Sequence, residues 1–174
     1  MMDLTGMQDL ASLGALVRPL MAADIGAVTA IVAAAFREAD GTVPERYRPS
    51  AVAERLASGL ENRRVTRPRF LVAELRGDVV AVGGFSRESW CSCAWSLYMA
   101  AVRPDLQGRR LGSLLIQRRL DAIAAEHAGP GTVVVSSRHP GSFLRLGFQA
   151  LRRMPHGPTL MVREFVGTGV SVTP

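Results

Sequence analysis

The spacing of apolar residues changes period several times along the chain, and each change predicts a new element. Between Ala22 and Glu38, apolar side chains recur every three or four positions, which predicts a helix that Asp40-Gly41 ends. A second helix is predicted from Ser50 to Leu60, because Ser50 is a suitable N-cap. The longest predicted helix, Leu111 to His127, is apolar on two flanks, as is typical of a largely buried helix.

Other segments have the alternation or the continuous β-branched composition of strands. The predicted strands are Ala15–Leu20, Phe70–Leu75, Val79–Phe85, Trp95–Val102, Thr132–Val135, Phe148–Met154 and Thr159–Phe165. Arg76-Gly77-Asp78 predicts a hairpin turn between the second and third strands. Gly83-Gly84, inside the third, indicates a bulge or a close backbone approach. A short helix is predicted from Pro140 to Leu146.

The resulting order, β-α-α-β-β-β-α-β-α-β-β, predicts a mixed sheet of the α/β or α+β class. The long helix is a crossover connection, so the strands on either side of it should be parallel neighbours. At 174 residues, one domain is expected. We assign it to residues 15–166, with an N-terminal arm over 1–14 and a flexible C-terminal tail over 167–174.

The charge is unusual in its composition. All 21 basic residues are arginine and the net charge is +6. The bias reflects either genome composition or a polyanionic ligand, because the guanidinium group suits phosphate and carboxylate. A nucleic-acid-binding protein is one hypothesis, but the chain lacks aromatic-rich basic strands and a helix-turn-helix pattern. Nucleic acid is therefore not an expected partner.

The cysteine content and the hydropathy of the chain limit the disulfides, metal sites, cellular location and membrane spans that it can be expected to have. Cys91 and Cys93 are the only cysteines, which excludes a disulfide framework and a four-cysteine zinc site, and no metal site is predicted. An extended segment would not bring this pair together easily. A reducing, cytoplasmic location is the simplest interpretation. The longest apolar stretch, Ile25 to Phe36, is too short to span a membrane.

The segment Ala101–Leu115, AVRPDLQGRRLGSLL, is the most informative one chemically. A strand ends, a polar loop follows, and a long helix begins near Arg110, so free N–H groups and the helix dipole together favour an anion. Gly108 allows close backbone approach, and Arg109 adds charge beside Arg110. Gly112 costs about 1 kcal/mol in a helix, which suggests that something packs against it. The alternative is an ordinary loop with surface arginines.

This segment resembles the acetyl-CoA signature of the GNAT superfamily of N-acyltransferases. Its core, [Q/R]-x-x-[G/A]-x-[G/A], is met by Gln107 and Gly112, with Arg110 where glycine is commonest. A second segment, SRHPGSFLRLGF from Ser137 to Phe148, resembles the family's F-Y-x-x-L-G-F block. Arg18-Pro19, followed by Asp24, resembles the family's opening strand and helix.

The resemblance covers roughly residues 15 to 165 and implies a particular fold. That fold is a mixed, mostly antiparallel sheet with a splayed parallel strand pair at its centre and about four flanking helices. The pantetheine arm of acetyl-CoA would lie in the splay, and the pyrophosphate would lie on the N–H groups before the long helix. The implied cofactor-binding residues are Ala100, Val102, Gln107, Gly108, Arg109, Arg110, Gly112, Ser113, Ser137 and Phe143.

The resemblance also implies direct attack of a primary amine on the acetyl carbonyl in a ternary complex, without a metal. Glu88 and Tyr98 are the candidate bases. The alternative interpretations are that Glu88 is a solvated loop residue and that Tyr98 is a half-buried packing residue. Leu144 stands where many members have a tyrosine that protonates the leaving thiolate. Water or Ser142 could protonate the thiolate instead, or the thiolate could leave without an acid.

The acceptor is expected to be a small-molecule or peptide amine. Its site is predicted between the first two helices, the loop Pro44–Arg48 and the loop Ser86–Ala94. The sequence leaves open whether the chain forms a homodimer, and no membrane partner is expected. Because Leu144 departs from the family pattern, a non-catalytic acetyl-CoA-binding or regulatory domain is the alternative function.

Overall fold

A computed structural model describes residues 14–61, 66–155 and 157–169 of the chain. The predicted N-terminal arm, apart from Gly14, and the tail beyond Gly169 lie outside these residues. The strands are β1 Ala15–Pro19, β2 Arg69–Leu75, β3 Asp78–Arg87, β4 Ala94–Val102, β5 Ala128–Ser137, β6 Gln149–Arg153 and β7 Thr159–Thr168. The α-helices are α1 Ile25–Ala35, α2 Pro49–Glu61, α3 Leu111–Glu126 and α4 Gly141–Arg145. The predicted element order is confirmed.

The seven described strands form one sheet in the order β1-β2-β3-β4-β5-β7-β6. Every neighbouring pair is antiparallel except β4 and β5, which are parallel. The α3 crossover places these two strands side by side, as the element order predicts. The predicted mixed, mostly antiparallel sheet with four flanking helices is therefore confirmed.

Two apolar layers cover the sheet. Val28 of α1 and Val52 of α2 are fully buried in one cluster with residues of β2, β3 and β4. On the other side, α3 packs Leu115 and Ile123 against the sheet. Because successive strand residues point to opposite faces, the continuous apolar runs of β3 and β4 supply both layers.

Several elements differ in length from their predictions. β7 extends to Thr168, so residues 167 and 168 of the predicted tail belong to a strand. The two largest differences are in the first helix and in β5. The first helix is α-helical only from Ile25, because Ala22–Asp24 forms a 3-10 turn, and it ends at Ala35. The next residue, Phe36, stacks on Tyr47 with 3.8 Å between ring centroids. The strand predicted over Thr132–Val135 extends from Ala128 to Ser137, because β7 pairs with all ten of its residues despite its glycines and proline.

A bulge in β4 sets the geometry at the centre of the sheet. The β3–β4 register changes between Val82 and Gly84, so Met99 and Ala100 together oppose Gly83. Met99 has a φ of 45°, in the left-handed region. Parallel pairing with β5 ends just before this point, at Leu97. Beyond Leu97 the two parallel strands separate, which is the predicted splay.

The glycine pair in β3 allows close packing on both faces of the sheet. A Cβ on Gly83 would lie 2.7 Å from Leu115 Cδ2 on α3. A Cβ on Gly84 would lie 2.5 Å from Tyr98 Cε2 on the opposite face. Real Cβ atoms do not tolerate these distances, so the predicted close approach is confirmed.

Ion pairs of Arg18 connect β1 to the start of α1 and to β2. Arg18 donates to both carboxylate oxygens of Asp24, at 2.7 and 3.0 Å, and to Glu74 at 2.8 Å. Asp24 also accepts the Met21 N–H at 2.8 Å, and its side chain is only 7% exposed. The bonds from Arg18 hold the pKa of Asp24 below its usual range. The pair thereby fixes β1 to the start of α1.

Replacing Asp24 with asparagine should therefore lower the free energy of unfolding by about 2 kcal/mol at neutral pH, because Arg18 keeps only Glu74 as a charged partner. Urea denaturation measures this loss. Asp40→Asn, at an exposed carboxylate that bonds only within its own turn with Thr42, is the control and should change stability little.

The same pair predicts a pH dependence. Asp24 binds its proton more weakly in the folded protein than in the unfolded chain, so its stabilisation is complete above the unfolded carboxyl pKa of about 3.9. It is lost as the pH falls through the lowered folded pKa. The stability difference between the wild type and Asp24→Asn should shrink below about pH 3.9. A constant difference down to acid unfolding would contradict this assignment.

Candidate functional site

The loop between β4 and α3 has a backbone shaped by three local features. Pro104–Leu106 forms a 3-10 turn directly after the strand. Gln107 donates its side-chain Nε2 to the Val102 carbonyl at 3.3 Å, which closes the loop on itself. Gly108 then takes a φ of 79° and Arg110 a φ of 60°, and α3 begins at the next residue. The helix therefore starts where the sequence predicts.

The first turn of α3 is uncapped. The N–H groups of Leu111, Gly112 and Ser113 precede Leu114, whose N–H donates to the Arg110 carbonyl at 3.0 Å. No side chain accepts a cap hydrogen bond at this helix start. Three N–H donors and the positive end of a 16-residue helix therefore face the loop. This is the arrangement that binds anions.

Charge and space at this helix start also suit an anion. Arg109 and Arg110 are exposed, and neither forms an ion pair with another described residue. Asp105, the carboxylate nearest in sequence, is already held by Arg103 through bonds of 2.8 and 3.1 Å. A Cβ on Gly112 would meet only Val102 Cγ2, at 3.8 Å, among the described residues. The space over the first turn is thus open.

The splay between β4 and β5 lies beside this loop. Ala100 is exposed and Val102 is half-buried on the β4 side. On the β5 side, Ser137 accepts the His139 N–H on its Oγ at 3.0 Å. Phe143 of α4 is only 7% exposed, and its ring packs edge-on against Phe148, 5.4 Å between centroids. The β4–α3 loop and the start of α4 therefore follow the carboxyl ends of the two parallel strands that form the splay. The Phe143 ring lies in the core.

Glu88 is held in place by the β3–β4 hairpin. Its carboxylate accepts hydrogen bonds from the Ser96 hydroxyl and, at 3.0 Å, from Trp90 Nε1. Ser96 and Tyr98 are two residues apart on β4, so they lie on the same face of the sheet. Glu88 is therefore a half-buried, oriented carboxylate close to the start of the splay, rather than a freely solvated loop residue.

Tyr98 occupies a packed position. Its ring lies edge-on to Phe70, 5.9 Å between centroids, and its hydroxyl donates to the Phe85 carbonyl at 3.2 Å. Burial raises the pKa of Tyr98 to about 12, because the phenolate would be poorly solvated. The neutral phenol is a weak base, so this geometry favours Glu88 over Tyr98 as a proton acceptor.

Arg119 of α3 was not singled out by the sequence pattern. It is fully buried beneath β3, where it donates Nε to the Leu115 carbonyl and Nη1 to the Gly84 carbonyl, each at 3.1 Å. Its Nη2 has no partner among the described residues. Burial lowers the pKa of Arg119 to about 10, so the group still carries its charge at neutral pH. A buried cation without a carboxylate is rare in proteins.

A groove of about 660 Å³ opens on the α1 and α2 side of the molecule. The residues that line it are Glu38, Pro44, Glu45, Arg46, Ala51 and Arg138. Glu38 and Arg138 face each other across it at 3.6 Å. The acceptor site was predicted between the first two helices, the loop Pro44–Arg48 and the loop Ser86–Ala94. The groove is lined by the first two of these regions but not by the β3–β4 loop. Arg138, the residue after β5, also lines it.

Two structural features are not found in the described part of the chain. No group of three or more His, Cys, Asp or Glu side chains there could hold a metal ion. None of its helices is long and apolar enough to cross a bilayer.

Comparison with known proteins gives a family match over the central part of the chain. Residues 66–150 match the family model described as an acetyltransferase (GNAT) domain. This range contains the β4–α3 loop, the splay, the glycine pair and the Ser137–Phe148 segment. No curated protein sequence matches the chain significantly.

Solved structures share the fold at low sequence identity. A PaiA N-acetyltransferase from Thermoplasma acidophilum in complex with coenzyme A has a TM-score of 0.66 and 12% identity, covering 87% of this chain and 99% of that one. An N-acetyltransferase from Staphylococcus aureus Mu50 has a TM-score of 0.64 and 16% identity, with coverage of 87% and 98%. The GNAT family N-acetyltransferase YhbS from Escherichia coli, in complex with CoA, has a TM-score of 0.63 and 20% identity, with coverage of 86% and 81%.

The positive φ of Arg110 generates a prediction about stability. An L-residue in the left-handed region costs about 1–2 kcal/mol, whereas glycine adopts it freely. Arg110→Gly should therefore be more stable than Arg110→Ala by about 1 kcal/mol, although both variants lose the same charge. Chemical denaturation of the two variants measures the difference, and equal stabilities would show that residue 110 does not hold this conformation.

Proposed function

Residues 66–150 match the model of an acetyltransferase (GNAT) domain, and from this match we propose that the chain transfers the acetyl group of acetyl-CoA to a primary amine. The observation that carries the proposal is the uncapped start of α3 beside the β4–β5 splay. One feature suits a pyrophosphate, and the other leaves backbone groups of β4 free to pair with an extended pantetheine arm. Two of the structures that share the fold are complexes with coenzyme A.

In this proposal the cofactor lies along one continuous path. Its pyrophosphate accepts from the N–H groups of Leu111, Gly112 and Ser113, with Arg109 and Arg110 as counter-charges. The pantetheine arm follows β4 past Val102 and Ala100, and Ser137 and α4 border it on the other side. The acetyl group then lies where parallel pairing ends, near Leu97.

The chemistry requires a neutral amine. An alkylamine with a pKa near 10.4 is only about 0.1% neutral at pH 7, so a base increases the rate by about a hundred- to ten-thousandfold. Glu88, directly or through a water molecule, is the base that the hairpin geometry favours. Backbone N–H groups of β4 that the splay leaves unpaired can donate to the oxyanion of the tetrahedral intermediate.

The chain has no tyrosine at the position where many family members have one to protonate the departing thiolate. The second position of the F-Y-x-x-L-G-F block falls on Phe143 here, not on Leu144 as first expected, and neither side chain can donate a proton. We assign stabilisation of the thiolate to the positive charge of Arg119. Gly84, whose carbonyl Arg119 binds, pairs with Tyr98, the residue at which the splay opens. Arg119 would act on the thiolate at a distance, through its charge, from its place beneath the bulge.

The size of this effect can be bounded. Strands are about 4.8 Å apart, so a thiolate in the gap lies about 10 Å from a guanidinium beneath β3. At an effective dielectric constant of about 20, that separation corresponds to about 1.7 kcal/mol, or about one pH unit in the pKa of the thiol. The charge therefore lowers the barrier to thiolate departure modestly and without moving a proton.

The acceptor in this proposal is a small-molecule or peptide amine that approaches from the side of α1 and α2. The groove there carries both carboxylates and guanidinium groups, and it does not select one amine class. A non-catalytic acetyl-CoA-binding domain is the second candidate, because neither Phe143 nor Leu144 can serve as the usual acid. Release of free coenzyme A across an amine panel distinguishes an enzyme from a binding domain. The location in this proposal is the cytoplasm, which the low cysteine content of the chain supports.

The open space over Gly112 provides the direct test of cofactor binding. Gly112→Val should fold normally but bind coenzyme A about ten- to a hundredfold more weakly, because the added side chain enters the space proposed for the pyrophosphate. Calorimetric titration with coenzyme A measures the affinity. Gly26→Val is the matched control, since Gly26 is also helical, lies on α1, and has no atoms within 4 Å of the position that a Cβ would take. Wild-type affinity in Gly112→Val would overturn the assigned cradle.

The role of Arg119 predicts a shift that packing alone would not produce. In Arg119→Met the thiol of bound coenzyme A should have a pKa about one pH unit higher than in the wild type. The ultraviolet absorbance of the thiolate, followed during a pH titration of the complex, measures that pKa. Arg119→Lys should largely restore the wild-type value.

Arg118→Met is the matched control, because Arg118 is the neighbouring arginine and its side chain is 53% exposed. An unchanged thiol pKa in a folded Arg119→Met that still binds coenzyme A would remove Arg119 from the mechanism while leaving the cofactor site intact. Failure of the wild type to bind coenzyme A would instead reject the whole proposal.

A further inference from the structure

The loop between β3 and β4 brings the only two cysteines of the chain together. Cys91 and Cys93 have their Sγ atoms 2.9 Å apart. The expectation that they would be hard to join holds only for an extended segment, and residues 92 and 93 form a turn instead. The Ala94 N–H donates to the Cys91 carbonyl at 3.1 Å and closes that turn.

Both thiols can be reached from outside. Cys93 is exposed and Cys91 is half-buried. Cys93 also lines a separate cavity of about 510 Å³ with residues at the start of β5 and the end of β7: Pro130, Gly131, Thr132, Glu164, Phe165 and Val166. A small thiol reagent or disulfide can therefore approach the pair without unfolding the sheet. The hydrogen bond from Cys93 lowers the pKa of Cys91, which favours a thiolate there.

We propose that Cys91 and Cys93 form a redox-active dithiol that a low-molecular-weight disulfide oxidises to an intramolecular bond. One cysteine thiolate attacks a sulfur of the external disulfide, which releases one thiolate and leaves a mixed disulfide on the protein. The second cysteine, as thiolate, then attacks the protein sulfur of that mixed disulfide and releases the other external thiolate. The protein loses two protons and two electrons, and the external disulfide gains the two electrons. The short Cys-x-Cys ring makes this bond one that thiols readily reduce again.

The position of the dithiol connects it to both the sheet and the candidate base. The Cys93 carbonyl accepts the Thr132 N–H at 2.9 Å, one residue before β4 and β5 begin to pair. The Glu88 N–H donates to the Ala94 carbonyl at 2.8 Å on the other side of the same loop. The ring between residues 91 and 93 would therefore lie in the same loop as the backbone contact of Glu88. Oxidation as such does not depend on the proposed acetyl transfer, but an effect on activity does.

The test uses the full-length protein with oxidised glutathione in excess over reduced glutathione, followed by removal of the small molecules. Because the chain has two cysteines in total, every product can be assigned from intact mass and thiol titration after denaturation. We expect a monomer that has lost two hydrogens and has no free thiol. Dithiothreitol should restore both thiols. Cys91→Ser and Cys93→Ser, as matched controls, should each stop at a single glutathione adduct.

Three outcomes would overturn the proposal. The first is a wild-type protein that keeps two free thiols at an excess of oxidant that modifies both single variants. The second is a stable product with two glutathione adducts, which would show that the second thiolate cannot reach the first sulfur. The third is a disulfide-linked dimer as the main product on a non-reducing gel.

Discussion

The bulge at Met99 and Ala100 is the constraint on which the rest of the site depends. Because two residues of β4 oppose one residue of β3, β4 turns away from its parallel neighbour, and pairing with β5 stops at Leu97. The gap that results can accept a third, extended chain of atoms in place of a strand. Gly83 suits this geometry, because a Cβ there would lie within 3 Å of the Leu115 and Arg119 side chains of α3.

Much of the fold was predictable because it depends on local periodicity. Helix and strand periods identified every described strand and helix, and the crossover rule paired the two parallel strands from the element order alone. The full length of β5 was not predictable, since Gly129, Pro130 and Gly131 argue against a strand locally. Long-range pairing with β7 overrides that preference, and a pattern confined to one segment contains no information about its partner.

The candidate site was predictable to a different extent for its backbone and its side chains. The loop from Gln107 to Gly112 is a local motif, and it lies where its pattern indicates. The environments of Tyr98 and Glu88 depend on neighbouring strands, so sequence spacing could not distinguish the two as bases. Arg119 follows Arg118 in a helix of an arginine-rich chain, and only the tertiary structure shows that one of the two is fully buried. A single polar interruption of the apolar stripe on α3 was the available signal.

The missing cap of α3 has a thermodynamic consequence. A helix whose leading amides lack acceptors is less stable than its length suggests, and a bound diphosphate supplies the acceptors that the chain omits. In the proposed complex, occupancy and conformational stability are linked by mass action, so each further tenfold excess of ligand over its dissociation constant adds about 1.4 kcal/mol to the free energy of unfolding.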